Sequence, residues 1–187
     1  MLIMQKVVDS IGELLKIFPH VKALETGTIR SFTEKHESTK HIAKTLGEKG
    51  DLISIDSSQK AIEISKKICN GLNNIKWVNS NSIDYLKSLN NEVYHFVLLD
   101  SANNPEIIWN EFELVAPRMI TNSILMVDDA GITKEGKKDA TGAKKGYLVW
   151  DKLSKVVPIK IVSSPHGTQL KIVFNKKNKN KILGRLT

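Results

Sequence analysis

Five acidic residues stand where they could act on a common ligand: Glu25, Asp56, Asp100, Asp128 and Asp129. Each closes or follows a short apolar run. Phe96-Val97-Leu98-Leu99 precedes Asp100, and Ile124-Leu125-Met126-Val127 precedes the Asp128-Asp129 pair. Apolar runs without alternation suit strands buried on both faces. In an open parallel sheet, ligands bind beyond the carboxyl ends of the strands. All five acids would lie there. Helix caps and turns account for some of them, but five in register with strand ends is harder to explain that way.

The chemistry differs by position. Asp56, in Ile53-Ser54-Ile55-Asp56-Ser57, can accept hydrogen bonds from both hydroxyls of a ribose. With Ser57 and Ser58 it is equally competent to cap the next helix, and the two roles are compatible. Gly27, in Leu24-Glu25-Thr26-Gly27-Thr28-Ile29-Arg30-Ser31, lets the backbone turn sharply and approach a ligand where a Cβ would obstruct. Asp100, Asp128 and Asp129, at the ends of two strands expected to be neighbours, could form a hard oxygen site for Mg²⁺ or another divalent cation. Such an ion lowers the pKa of a hydroxyl nucleophile and fixes its direction. Alternatively, Asp128 and Asp129 cap a loop and only Asp100 meets a ligand.

The elements that must position these residues follow from periodicity. Val7, Val8, Ile11, Leu14, Leu15 and Phe18 recur at helical spacing, and Pro19 ends that first helix within residues 1–20. Strands are expected over Val21 to Glu25, Leu52 to Asp56, Ile75 to Asn79, Val93 to Asp100 and Ser123 to Asp128. Helices are expected between them, over Ser38 to Leu46, Gln59 to Asn70, Ile83 to Leu89 and Pro105 to Ala116, with another near Tyr147 to Lys155. Ile159 to Ser163 and Thr168 to Phe174, joined by Ser164-Pro165-His166-Gly167, read as a hairpin. Alternating strands and helices predict an α/β, mostly parallel, doubly wound sheet with helices on both faces and an antiparallel C-terminal edge. Residues 175–187 read as a basic tail that frays.

Glu-x-Gly after the first strand, Asp56 after the second, Asn79-Ser80-Asn81-Ser82-Ile83-Asp84 after the third and Leu98-Leu99-Asp100-Ser101 after the fourth resemble the class I S-adenosylmethionine-dependent methyltransferases. The resemblance spans roughly Val21 to Phe174. It implies a Rossmann-like, seven-stranded sheet in the order 3-2-1-4-5-7-6. It also implies that Glu25, Gly27 and Thr28 border the methionine part of S-adenosyl-L-methionine (SAM). Asp56 would hold the ribose, with Ser57 beside it. Asn81, Ser82 and Ile83 would approach the adenine, and Asp100 and Ser101 would lie near the sulfonium. The acids at the ends of strands four and five look like those of cation-dependent O-methyltransferases. On that likeness Asp100 and Asp128 are the expected catalytic residues, and Asp100, Asp128 and Asp129 the expected metal ligands. The pattern departs at Arg30 and Ser31, where a further small residue is expected, and at an extended loop from Ser31 to Glu37.

Gly131 to Gly146 carries Lys134, Lys137, Lys138, Lys144 and Lys145 among four glycines, directly after Asp129. It is either a lid that recruits an anionic acceptor or a solvated loop. His166 could be a general base or an ordinary turn residue. Trp77, Trp109 and Trp150 read as core. His20, His36, His41 and His95 show no metal-ligand spacing.

A length of 187 residues suits one domain. One cysteine, Cys69, excludes an internal disulfide framework. No run approaches the roughly 20 apolar residues of a membrane span, and no signal peptide is indicated, so a cytoplasmic location is expected. There is no Gly-x-Gly-x-x-Gly turn, no phosphate loop, no metalloprotease helix and no Gly-x-Ser-x-Gly elbow. The net charge of +8 allows nucleic acid as a partner, although much of the excess sits in residues 176–181. The expected function is methyl transfer to a small-molecule acceptor, chiefly to oxygen. The alternatives are an RNA or protein methyltransferase and a non-catalytic SAM-binding module. A homodimer is left open.

Overall fold

The computed structural model describes residues 2–32, 37–133, 135–139, 144–164 and 167–186. Their strands are β1 (Val21–Thr26), β2 (Gly50–Asp56), β3 (Ile75–Asn79), β4 (Tyr94–Leu99), β5 (Met119–Val127), β6 (Ile159–Ser164) and β7 (Gly167–Phe174). The helices are α1 (Leu2–Leu15), α2 (Ser38–Leu46), α3 (Gln59–Ile68), α4 (Ser82–Ser88), α5 (Pro105–Val115), α6 (Tyr147–Leu153) and α7 (Lys176–Leu186). One sheet runs β3-β2-β1-β4-β5-β7-β6. Strands β1 to β5 are parallel, and β7 is antiparallel to both of its neighbours. The doubly wound order expected from the sequence is the one observed.

The central strands are apolar on both faces because both faces are covered. In β4, Phe96 and Leu98 join Val7, Ile11, Leu14 and Ile42 from α1 and α2 in one core. Tyr94, Val97 and Leu99 join Ile108, Phe112, Val149 and Leu153 from α5 and α6 in the other. From Phe96 to Leu99 alternate side chains therefore feed two separate cores, and a register shift between Tyr94 and Phe96 turns Tyr94 to the second.

Local chemistry sets the helix starts near the site. Ser58 caps α3, its hydroxyl accepting the Ala61 N–H at 3.2 Å. Asn81 caps α4 by accepting the Ile83 and Asp84 N–H groups at 2.9 and 3.4 Å. Asn104, followed by Pro105 in the first turn, caps α5 in the same way.

The C-terminal stretch differs from expectation. Residues 176–186 form a helix rather than a frayed tail. Asn175 Oδ1 accepts the Asn178 N–H at 2.8 Å, and Asn178 Nδ2 donates to Val173 O at 3.0 Å. Ile182 is fully buried in the α5/α6 core, with Leu186 packed beside it. Two apolar residues four apart outweigh the charge of the lysines that precede them. Among the described residues, no helix is long and apolar enough to cross a membrane. Trp109 is buried and stacks on Phe112, whereas Trp77 and Trp150 are half-buried.

Candidate functional site

The carboxyl ends of β1, β2 and β4 meet through backbone contacts. Gly27 N donates to Ile55 O at 2.8 Å and Asp100 N to Thr26 O at 2.9 Å. Gly27 has φ +86°, and a Cβ there would lie 2.5 Å from the Asp100 carbonyl oxygen. Only glycine allows the turn and the close passage together. Asp56 folds back over this turn: Oδ2 accepts the Thr28 N–H at 3.2 Å and Oδ1 the Ser58 N–H at 2.8 Å. The Ser58 hydroxyl, not Asp56, supplies the α3 cap.

These ends enclose a crevice of about 190 Å³. Of the residues expected to meet a cofactor, Gly27, Asp56, Ser57, Asn81, Ser82 and Ser101 line it, joined by Arg30, Ile55, Ser80, Ala102 and Ile107. Glu25, Thr28, Ile83 and Asp100 are not among its walls. Glu25 is fully buried, its carboxylate accepting the hydroxyls of Ser38, Thr39 (2.7 Å) and Ser54 (3.1 Å). It therefore ties β1 to the start of α2 and to β2 from beneath the crevice. Burial pushes its carboxyl up to about 7; the hydroxyl donors oppose this and the Asp100 charge adds to it. Thr28 turns its hydroxyl to Thr39 (3.0 Å) and Ser65 (2.7 Å).

No family model matches the chain, and no curated protein matches it in sequence. Solved structures do match in shape. An O-methyltransferase from Bacillus cereus, in complex with SAH, gives a TM-score of 0.65 at 15% identity, over 91% of this chain and 81% of that one. The O-methyltransferase TomG from Streptomyces achromogenes, in complex with SAM, gives 0.64 at 17%, over 91% and 79%. The N-methyltransferase NodS from Bradyrhizobium japonicum gives 0.58 at 13%, over 92% and 96%. The fold is that of the class I SAM-dependent methyltransferases. In this methyltransferase fold the crevice above Gly27 lies at the switch between β1 and β4, where chain order reverses.

Two side chains not assigned a role from the sequence brace the crevice, one from behind its wall and one across its opening. Glu111, on α5, is fully buried. It accepts the Thr26 hydroxyl at 2.9 Å and the Ser101 hydroxyl at 2.5 Å, fixing Ser101 in the crevice wall. Burial raises its pKa, and hydrogen bonds from Ser101, Ser82 and Thr26 offset part of the rise. The signal was legible: Glu111 interrupts the apolar stripe Ile108, Phe112 and Val115. Arg30, at the position where a small residue is expected, spans the opening. Its Nη2 donates to Ser101 O at 2.5 Å, and its Nε lies 3.7 Å from Asp56 Oδ2.

The expected metal site has a different occupant. Asp100, Asp128 and Asp129 do converge, but around an ammonium. Lys145 Nζ contacts Asp100 Oδ1 directly and lies 3.8 Å from both Asp128 Oδ2 and Asp129 Oδ2. Its side chain is 7% exposed. Among the described residues, no group of three or more acidic, His or Cys side chains has an arrangement that could hold a metal ion. A Mg²⁺ ion requires near-octahedral oxygen ligation at roughly 2.0–2.1 Å, and the ammonium stands where those ligands would have to close. The three carboxylates therefore do not fit a bound cation in this arrangement. Burial would lower the Lys145 pKa, but Asp100, Asp128 and Asp129 together raise it. The lysine is the fixed positive charge of the cluster. Burial and the neighbouring Asp128 push the Asp100 carboxyl up to about 7 against the pull of Lys145. Gln169, on β7 and 1% exposed, donates to Asp128 Oδ1 at 2.8 Å.

The described part of the loop after Asp129 folds on itself and onto the start of α6. Thr133 N donates to Lys137 O at 2.7 Å. Lys138 lies 4.8 Å from the centre of the Tyr147 ring. Lys145, read from the sequence as part of either a lid or a solvated loop, is turned inward, where three carboxylates attract it. Lys134, Gly142, His36 and His166 lie outside the described residues. His20 pairs with Asp51 at 2.8 Å, at the amino-terminal ends of β1 and β2, away from the crevice. Cys69 is buried and its thiol is pushed up to about 11 by burial, so it is no nucleophile.

Proposed function

We propose that this chain transfers a methyl group from SAM to a small-molecule acceptor, with oxygen as the accepting atom. The observation that carries the reading is the crevice bounded by Gly27, Asp56 and Ser101 in a methyltransferase fold. Asp56 and Ser57 would take the ribose hydroxyls, Asn81 and Ser82 the adenine edge, and the Gly27–Thr28 turn the amino-acid tail. For Asp56 this means exchanging the Thr28 N–H or the Arg30 guanidinium for a ribose donor. SAM, when bound, supplies an electrophilic methyl group on a sulfonium, and its displacement is in line. The chain's part is alignment and charge. Glu111 sets Ser101, Glu25 sets the turn before Gly27, and the Lys145 cluster lies beyond Asp100, on the side where an acceptor would enter. The O-methyltransferases among the similar structures favour oxygen.

Calorimetry with S-adenosylhomocysteine tests the cofactor half of this reading. One-to-one binding is expected, lost in Gly27→Ala and weakened at least tenfold in Asp56→Ala. No heat at millimolar ligand would end the proposal. A panel of hydroxyl acceptors, read by release of S-adenosylhomocysteine, tests the other half. Binding without turnover on every member would favour a module that only holds the cofactor.

The net charge of +8 is the observation that favours RNA as the acceptor. Against it, the basic helix α7 leaves the sheet after Phe174, which pairs with Ser123, whereas the crevice lies at the Val127 end of β5. RNA binding that falls steeply with salt, together with methylation of RNA, would reverse the preference.

A further inference from the structure

We propose that Lys145 is a built-in replacement for a divalent cation: its ammonium fills the Asp100, Asp128 and Asp129 cluster, so that this chain needs no metal there. The geometry is specific. One N–H is committed to Asp100. At 3.8 Å the other two carboxylates attract the charge without accepting a hydrogen bond. An ammonium carries three donors, so two remain for an oxygen brought into the cluster. That is the contact a metal ion would otherwise offer: a positive charge beside an acceptor hydroxyl losing its proton.

The backbone is shaped to deliver this lysine. Residues 144–146 lie directly on 129–131. Gly146 N donates to Asp129 O at 3.2 Å. A Cβ on Gly146 would lie 2.8 Å from Ala130 Cα, and a Cβ on Gly131 would lie 2.8 Å from Lys144 N. Gly131 also has φ +66°. Two glycines thus let the segment before α6 press against the end of β5. From there the Lys145 side chain reaches Asp100 across the strand ends. Asp129 takes φ +44°, a conformation uncommon outside glycine, and its carboxylate remains within reach of the same ammonium. The Lys145 side chain is buried. Gln169 further orients Asp128, and its Oε1 has no partner.

The claim about the cation concerns the cluster alone; its consequence for an acceptor rests on the methyl-transfer reading. The test is therefore made without cofactor or acceptor. Mn²⁺ binding is measured by calorimetry and by electron paramagnetic resonance on the full chain, for wild type, Lys145→Ala and Lys145→Gln. Wild type should take up no stoichiometric Mn²⁺ at roughly 1 mM, the weak end of protein sites for such ions. Its thermal midpoint should not change with chelator. Removing the ammonium should open the cage. At least one folded lysine variant should then bind one Mn²⁺ at least tenfold more tightly than wild type, and Asp128→Asn in the same background should abolish it. Stoichiometric Mn²⁺ binding by wild type that is lost in Asp128→Asn would overturn the proposal, since the ammonium would then be yielding to metal. Folded lysine variants that gain no Mn²⁺ would also overturn it, because the carboxylates would then be no cation site. Should neither lysine variant fold, the wild-type measurement still decides. A failure of S-adenosylhomocysteine binding would count against the methyl-transfer reading and leave this result standing.

Discussion

The α-carbon of Gly27 passes so close to Asp100 that a single added methyl group would sit 2.5 Å from the Asp100 carbonyl oxygen. That oxygen is backbone and cannot turn aside. Gly27→Ala is also strained by its φ of +86°. We expect it to lower stability by about 1–3 kcal/mol and to remove S-adenosylhomocysteine binding. Denaturant unfolding and calorimetry check the two effects. A variant with wild-type stability and affinity would show that β1 and β4 are not held this close.

Glu25 should make the fold less stable as the medium becomes more alkaline. Its carboxyl lies near 4.5 when unfolded and is raised to about 7 in the fold. Between those values the folded chain binds more protons than the unfolded chain. Stability is then fully present below pH 4.5 and is lost as the pH rises through about 7. The full loss is about 3 kcal/mol. Glu25→Gln, which stays neutral, should flatten that part of the stability profile and match or exceed wild type at pH 8. An unchanged slope between pH 5 and pH 7 would refute this account.

Glu111 separates geometry from charge. Its two oxygens hold Thr26 and Ser101, and burial favours its neutral form. Glu111→Gln keeps the shape and one acceptor oxygen, and its amide can donate to the other hydroxyl as the neutral carboxyl can, so we expect a stability change within about 1 kcal/mol. Glu111→Ala leaves a cavity and two hydroxyls without their acceptor, with a loss of about 2–4 kcal/mol and weaker S-adenosylhomocysteine binding. Equal losses in both variants would mean that the ionised charge, not the hydrogen-bond geometry, is what matters.

The C-terminal helix should contribute to stability like any packed element. Ile182→Ala removes a fully buried side chain and should cost about 2–4 kcal/mol. Lys177→Ala, on the exposed face of the same helix, should change stability by no more than about 0.5 kcal/mol. Chemical denaturation of both variants is sufficient. An Ile182→Ala chain as stable as wild type would mean that α7 does not bury this residue in solution.

Much of the architecture was legible from local pattern. The apolar runs ending at Glu25, Asp56, Asp100 and Asp128 became β1, β2, β4 and β5 because doubly covered strands need continuous apolar sequence, and that need is visible one strand at a time. Gly27 and Asp56 were legible for a similar reason: a turn requiring positive φ and a carboxylate at a strand end are local demands. The hairpin of β6 and β7 was signalled by its Pro-Gly turn. By contrast, α7 was obscured because a lysine-rich stretch looks the same whether or not Ile182 and Leu186 find a core to enter.

By itself, then, the sequence determined the strand-and-helix alternation and the row of acids at the strand ends, since backbone conformation and burial leave their mark residue by residue. Tertiary structure alone decided how those acids are used. Glu25 became a buried brace because α2 brings Ser38 and Thr39 to it, Glu111 reached Ser101 across ten residues, and Lys145 entered the carboxylate cluster from 45 residues beyond Asp100. A charge is attracted to whatever lies near it in space, and periodicity along the chain carries no record of that distance.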